Sequence, residues 1–223
     1  MPTIQIEQKG VEKLLSSLNS GKAAGPDDLP PRVLKELSSV ISWFLTRIFQ
    51  QSLETGKIPK QWKEANIIPI FKKGDKTMAS NYRPVSLTCV ASKLLEHIIV
   101  SAMLDHADRH NILSEYQHGF RKGRSCETQL LLTAQDLASA YNRKKQIDMI
   151  VLDFSKAFDK VPHRRLVTKL DHYGIRGSTL QWIQDFLADR TQCCWRERDL
   201  LRHQYCLVFH RAQLWAQSCS CCI

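Results

Sequence analysis

The sequence predicts an α+β fold that is rich in helix and carries a small antiparallel sheet. Apolar residues recur at helical spacing along several long stretches, whereas a shorter stretch contains two strand candidates separated by a charged turn. No internal repeat and no low-complexity linker interrupts these segments. We therefore expect one α+β unit rather than a string of small domains.

The helices are predicted from periodicity and from end signals. A short amphipathic helix lies in VEKLLSSLNS, and a second helix begins after Pro30 and Pro31, since proline is favoured at a helix start. The apolar residues of this second helix keep helical spacing through Leu53, and Gly56 ends it, so we expect it to face the core. Further helices are expected at residues 90–110, from about residue 125, at 164–173 and at 180–189.

The strands carry charged residues at their ends. Residues 67–71 and 82–87 are expected to pair as a hairpin whose tip carries Lys72 and two further lysines. Residues 149–153 are an apolar run of strand-forming residues, for which we expect a buried strand. Asp153 stands where the apolar pattern of that run stops.

The charge of the chain suggests the class of its partner. A net charge of +10 makes a polyanion the first partner to consider, because clustered cations bind phosphates by releasing counterions. A basic surface that is merely solvated is the alternative that charge alone leaves open. No apolar run approaches the length of a membrane span. We therefore expect an intracellular protein of the nucleus or cytoplasm, neither secreted nor bound to a membrane.

Asp153 is the first candidate for chemistry. Hard cations such as Mg²⁺ bind carboxylate oxygens and substrate phosphates, and two metals can stabilise the attacking and leaving oxygens of phosphoryl transfer. The structural alternative is that Asp153 accepts hydrogen bonds from the helix that follows. This carboxylate by itself does not decide between the two interpretations.

Four segments occur together in one order. They are GKAAGPDDLP, IIPIFKKGDKTMASNYRPVSLTCVASKLLEHII, LSEYQHGFRKGRSCETQL and VLDFSKAFDKVPHRRLVTKL. In order and spacing they resemble the reverse transcriptase of non-LTR (LINE-type) retrotransposons over residues 21–192. The resemblance implies the fingers and a partial palm of a right-hand polymerase. It also implies an RNA-directed DNA polymerase whose partners are an RNA template, a DNA primer and dNTPs.

The resemblance assigns metal and sugar contacts to three residues. Asp153 matches the first catalytic, metal-binding aspartate of the palm, and the Phe154 backbone carbonyl matches the ligand beside it. The implied cofactor is Mg²⁺, with Mn²⁺ as the alternative ion. Phe158 matches the bulky nucleotide-binding residue that excludes a 2′-hydroxyl, whereas an ordinary core aromatic is the structural alternative at that position.

The resemblance also assigns phosphate contacts to cations of two loops. Lys72 and Arg83 match the fingers residues that hold the incoming triphosphate, which is chemically sensible because cations neutralise charge at a transferring phosphoryl group. Arg121, Lys122 and Arg124 match the template and nucleic-acid surface. For Lys122 and Arg124, a solvated loop face is the alternative.

The C-terminal segment departs from the family pattern. The second carboxylate motif of a palm, an aromatic-x-Asp-Asp hairpin, has no counterpart after Thr191, and six of the eight cysteines lie from Cys193 onward. Residues 207–223, LVFHRAQLWAQSCSCCI, can be back-translated with permitted codons that, read from the third base, give GVPQGSALGPVLFLLY. That string resembles the family's next block. We therefore expect a helical lead-in at 1–20, the polymerase segment at 21–192 and an out-of-frame, poorly ordered tail at 193–223.

Two classes of function remain in view. The first is a retrotransposon reverse transcriptase that adds dNTPs to a primer 3′-hydroxyl with two Mg²⁺ ions, here lacking the second aspartate motif and inactive or nearly so. The alternative is a non-catalytic module that binds RNA or DNA through the basic surface. A product without function is a third interpretation, which poor folding would support.

Overall fold

The computed structural model describes residues 1–154, 157, 160–194 and 206–207. Within those residues the chain alternates helices with a small sheet, so the α+β class is confirmed. Short 3₁₀ turns occur at Lys60–Lys63 and Ala79–Asn81. In chain order the main elements are α1 (Gln8–Ser16), α2 (Pro31–Glu36), α3 (Ser38–Thr55), β1 (Glu64–Phe71), β2 (Tyr82–Thr88), α4 (Val90–Arg109), α5 (Cys126–Asn142), α6 (His163–His172), α7 (Gly177–Leu187), β3 (Thr191–Cys194) and β4 (Cys206–Leu207).

The core lies between helices that are distant in sequence. α3 packs on α1 and α7, and α6 packs on α7. The fully buried side chains of Phe49, Leu95 and Trp182 meet there. Trp182 Nε1 donates to Ser52 Oγ (2.9 Å), and that hydroxyl donates to the Lys57 carbonyl oxygen (2.6 Å). Both polar groups are therefore satisfied, as burial requires.

The sheet is mixed, so the prediction of an antiparallel sheet is wrong for one of its three described strand pairs. β2 and β1 form the expected antiparallel hairpin, but β3 pairs in parallel with β1, and β4 pairs antiparallel with β3. A parallel pair needs a long crossover, which α4 to α7 supply. The local sequence predicts the hairpin but not the β1–β3 pairing, because that pairing joins residues far apart in the chain.

The expected start of the tail lies among the described residues. Cys193 and Cys194 belong to β3, and the boundary at residue 193 stays a prediction. Cys206–Leu207 forms β4. The rest of the segment from residue 195 lies outside the described residues, and the expectations of a shifted frame and poor order there stay predictions.

The long helix expected after Pro31 is divided in two. Leu37 (φ −96°, ψ 16°) separates α2 from α3, and the Ile41 N–H donates to the Leu37 carbonyl oxygen (2.9 Å) to start α3. Gly56 ends α3 in the left-handed conformation (φ 64°), as predicted from the sequence. Leu45 and Phe49 face the core, whereas several other apolar side chains of this region are exposed, namely Val33, Leu37, Val40, Trp43, Phe44 and Ile48.

The buried strand predicted at residues 149–153 is wrong. These residues belong to no strand, and Ile150, Val151 and Leu152 are each more than 80% exposed. A strand is buried only where neighbours accept its backbone hydrogen bonds and cover its faces. No described strand pairs with this segment, so its apolar sequence does not become a sheet element here.

No helix among the described residues combines the length and apolar character needed to cross a bilayer.

Candidate nucleotide and nucleic-acid interface

The turn of the β1–β2 hairpin is ordered by its own hydrogen bonds. The Lys72 N–H donates to the Asn81 carbonyl oxygen (2.8 Å), which extends the strand ladder by one residue. The Asp75 carboxylate accepts a hydrogen bond from the Thr77 N–H (2.9 Å), and the Asn81 side-chain amide donates to the Asp75 carbonyl oxygen (2.8 Å). The Thr77 hydrogen bonds lower the pKa of Asp75. The charged tip is thus a defined loop built by short polar side chains.

Lys72 and Arg83 fall on one face of this hairpin. Ile70 lies opposite Arg83 in the register. Side chains two residues apart on a strand share a face, so Lys72 lies on the face of Ile70 and Arg83. Diagonal neighbours across an antiparallel pair are within reach of long side chains. The hairpin therefore presents these two exposed cations together.

Lys76, another lysine of the turn, contacts an aromatic ring. Phe71 and Tyr82 are paired at the end of the strands, with ring centroids 5.5 Å apart. Lys76 Nζ lies 5.7 Å from the centre of the Phe71 ring, and the Tyr82 hydroxyl donates to the Lys76 carbonyl oxygen (2.8 Å). Lys76 thus contacts an aromatic ring through its side chain, whereas the hydrogen bond described for Lys72 is made by its backbone.

The basic loop before α5 uses two of its three candidate cations internally. Arg121 Nη2 lies 3.1 Å from Asp108 Oδ1, and Nη1 of the same side chain donates to a carbonyl oxygen of the preceding loop. Arg124 Nη1 also donates to a backbone carbonyl oxygen, that of Glu115. Lys122 is exposed. The two guanidinium groups therefore organise the loop, and Lys122 is the cation it presents to solvent.

Asp153 lies in an exposed segment without regular secondary structure, ahead of α6 in the chain. Its carboxylate and the Phe154 carbonyl are oxygen donors of the kind that Mg²⁺ prefers. Among the described residues, however, no group of three or more His, Cys, Asp or Glu side chains is placed to hold a metal ion. These two oxygen donors are of the right chemical type but do not complete a coordination sphere among the described residues. Phe158 lies outside the described residues.

The GKAAGPDDLP segment packs against the junction between β2 and α4, which the sequence did not predict. A Cβ on the buried Gly25 would lie 2.6 Å from the Thr88 carbonyl oxygen and 2.7 Å from the Cys89 nitrogen. Asp27 reaches the Cys89 thiol, and burial followed by the hydrogen bond to Asp27 raises the pKa of that thiol to about 12. This glycine therefore serves a close backbone approach rather than a flexible linker.

The sequence also did not predict a buried charge cluster that joins α4 to the residue before β3. The Arg190 guanidinium stacks 4.4 Å from the centre of the Phe186 ring and donates to the Phe186 carbonyl oxygen (3.2 Å). Burial raises the pKa of Glu96 to about 7, although Arg190 and then Lys93 act to lower it. Arg190 directly precedes β3, so the cluster positions the strand that joins β1. The available signal was a lone carboxylate in the apolar run LLEHII.

Comparison with known proteins matches this arrangement to one family. The family described as reverse transcriptase (RNA-dependent DNA polymerase) matches residues 70–208, which include most of the hairpin, the basic loop and Asp153. The chain belongs to this family. The predicted resemblance is thereby confirmed.

The relatives of this reverse transcriptase chain come from mobile elements. It is 32% identical over 192 residues to the RNA-directed DNA polymerase from mobile element jockey of Drosophila melanogaster, covering 86% of this chain and 21% of that protein. The jockey polymerase of Drosophila funebris is 31% identical over 76% of this chain and 19% of its own length.

A more distant relative belongs to an element of another name. The Pol polyprotein from type-1 retrotransposable element R2 of Popillia japonica is 28% identical over 64% of this chain and 19% of its own length. The chain spans about a fifth of the length of the curated relatives it matches. The activity of those whole proteins is accordingly a matter for proposal here.

Proposed function

We propose that this chain supplies the fingers and part of the palm of a retrotransposon RNA-directed DNA polymerase, with the β1–β2 hairpin holding the triphosphate of an incoming dNTP. The observation that carries the proposal is the register of the hairpin, which puts Lys72 and Arg83 on one exposed face. A triphosphate needs several cations in a fixed arrangement, and an ordered turn supplies that arrangement without further folding.

Template RNA is the proposed partner of the loop before α5, and a DNA primer is the second strand. Lys122 is the proposed direct phosphate contact, whereas Arg121 and Arg124 act as positioning residues through the bonds they make within the loop. Contacts of this kind fix the position of the strand and carry no sequence information. Binding is therefore expected to be general for RNA and to weaken with salt.

Asp153 and the Phe154 carbonyl are the proposed Mg²⁺ or Mn²⁺ ligands, with Phe158 as the proposed sugar filter. A metal held there would neutralise charge on the transferring phosphoryl group. Because the described donors do not complete a site, no catalytic step is assigned to this chain alone. The second candidate function is a nucleic-acid-binding module without polymerisation, which the exposure of Asp153 outside any strand favours.

The hairpin is tested by dTTP binding to the chain with a poly(A) template and oligo(dT) primer. Replacing Lys72 and Arg83 together by alanine is expected to raise the Kd for dTTP at least tenfold, since hydrogen bonds to charged groups contribute about 1.5–3 kcal/mol each. Lys73→Ala removes a neighbouring charge that lies beyond the strand ladder and is the matched control. Equal Kd values for all three proteins would contradict the proposal.

Primer extension on the same template separates the two candidate functions. Incorporation of dTTP with Mg²⁺ that disappears in Asp153→Asn would assign polymerase activity to the chain. If neither protein extends the primer while both bind RNA and dTTP, the chain acts as a binding module.

A further inference from the structure

α6 carries a basic face that the proposed function does not use. Leu166 and Leu170 are buried on the side that packs toward α7, whereas Arg164 and Arg165 are exposed on the other side. A shallow, widely open surface groove of about 550 Å³ lies on this side. Its lining residues are Arg164, Arg165, Thr168, Lys169, His172 and Tyr173.

A second groove continues the first toward α7. It has a volume of about 400 Å³, shares Arg164 and Thr168 with the first groove, and reaches Gln184 and Ala188 beyond α6. No carboxylate is among the described residues that line either groove. The two grooves are therefore adjacent on the surface of α6.

The two arginines at the start of α6 are not explained by helix stability. They lie in the first helical turn, where the helix dipole favours acidic rather than basic side chains, and that turn contains no acidic residue. Neither takes part in an ion pair among the described residues. Asp171, the acidic residue of α6, lies 3.1 Å from Arg176 Nε, so its charge is directed to that side chain.

We propose that the α6 groove binds the phosphate backbone of single-stranded RNA, as a contact additional to the hairpin and the loop before α5. Arg164, Thr168 and His172 recur every fourth residue along the helix, so they form one row of donors with neighbouring Cβ atoms about 5–6 Å apart. Arg165 adds a second permanent charge beside that row. A positively charged groove that follows a strand is the usual means of binding single-stranded nucleic acid.

The experiment measures binding of a fluorescein-labelled oligo(U) to the whole chain by anisotropy over a range of NaCl concentrations. Arg164→Glu/Arg165→Glu is compared with Lys9→Glu/Arg32→Glu, which makes the same change in net charge at exposed positions of α1 and α2. The α6 variant is expected to bind at least tenfold more weakly than this control. Its slope of log K against log salt should be smaller by about 1.4, the value for two lost phosphate contacts on a single strand.

A second pair of variants guards against misfolding. Arg164→Gln/Arg165→Gln removes the charges without reversing them and should show the same loss of slope, whereas Arg164→Lys/Arg165→Lys should retain the wild-type slope. Equal affinity and slope for the α6 variants and the control would overturn the inference.

The inference rests on the proposed function only in assuming an RNA ligand. Wild-type protein that does not bind oligo(U) at all would overturn both. In a third outcome, the α6 changes weaken oligo(U) binding, but the Lys72 and Arg83 changes leave dTTP binding unaffected. That outcome would overturn the proposed role of the hairpin and support the α6 groove as an RNA contact.

Discussion

Gly25 shows how one missing side chain fixes a segment against the fold. Its α-carbon lies so close to the β2–α4 junction that any Cβ would overlap the Thr88 carbonyl and the Cys89 nitrogen. Both are backbone atoms, which cannot move aside as a flexible side chain can. The position therefore demands glycine for reasons of space.

Gly25→Ala is expected to lower the free energy of unfolding by about 1–3 kcal/mol, because the added methyl group overpacks a buried contact. Urea unfolding of the whole chain measures the change. Gly10→Ala is the matched control, since a Cβ at that exposed site in α1 meets nothing within 4 Å. There alanine should stabilise by up to about 1 kcal/mol. A Gly25 variant as stable as the Gly10 variant would refute the close approach.

At the scale of elements, α5 is a helix without a core. Ser125 and Thr128 form a capping box at its start, which stabilises the helix end. Its described side chains are nevertheless all outside the core, and Leu130 and Leu131 are each more than 65% exposed. Among the described residues, α5 thus has a capped start but buries no side chain, whereas α4 is held by the side chains it buries.

The contrast between these helices gives a mutational prediction. Leu95→Ala in α4 removes a fully buried side chain and should cost about 2–5 kcal/mol of unfolding free energy. Leu131→Ala makes the same chemical change in α5 and should alter stability by no more than about 0.5 kcal/mol. The denaturant midpoints of the two variants measure the loss of stability in each. Similar large losses of stability would mean that the Leu131 side chain packs on the folded chain.

How much the sequence predicts follows the same division between local and distant interactions. The hairpin, α4, α6 and α7 were predicted because their periodicity and end signals lie within each segment. The β1–β3 pairing and the Glu96–Arg190 cluster were not, because each joins residues distant in the chain. Lys72 and Arg83 could be named from motif resemblance, but their common face became evident only from the register. The prediction of a buried strand at residues 149–153 was wrong because an apolar run forms a strand only when a neighbouring strand pairs with it.

For the whole molecule, the buried Glu96 links stability to pH. The pKa of about 7 lies above the ordinary value of 4.5, so the folded state holds this proton more tightly than the unfolded chain does. Arg190 and Lys93 are the charges that face Glu96. The stabilising contribution is complete below pH 4.5, declines as pH rises, and is lost above about pH 7.

Glu96→Gln should remove this dependence, because glutamine does not ionise. Between pH 5 and pH 8 the wild-type free energy of unfolding is expected to fall relative to that of the variant by on the order of 2–3 kcal/mol. Urea titrations of both proteins at the two pH values provide the measurement. Parallel profiles would show that Glu96 keeps one protonation state throughout.

The exposed segment at residues 149–154 also bears on the fate of the chain in a cell. It has no regular secondary structure, and its large apolar side chains are open to solvent. Holdase chaperones bind exposed apolar stretches of this kind, and exposed backbone outside regular structure is accessible to proteases. The segment that carries Asp153 is thereby also open to cellular quality control, so the abundance of the chain in a cell should depend on whether a partner covers this segment.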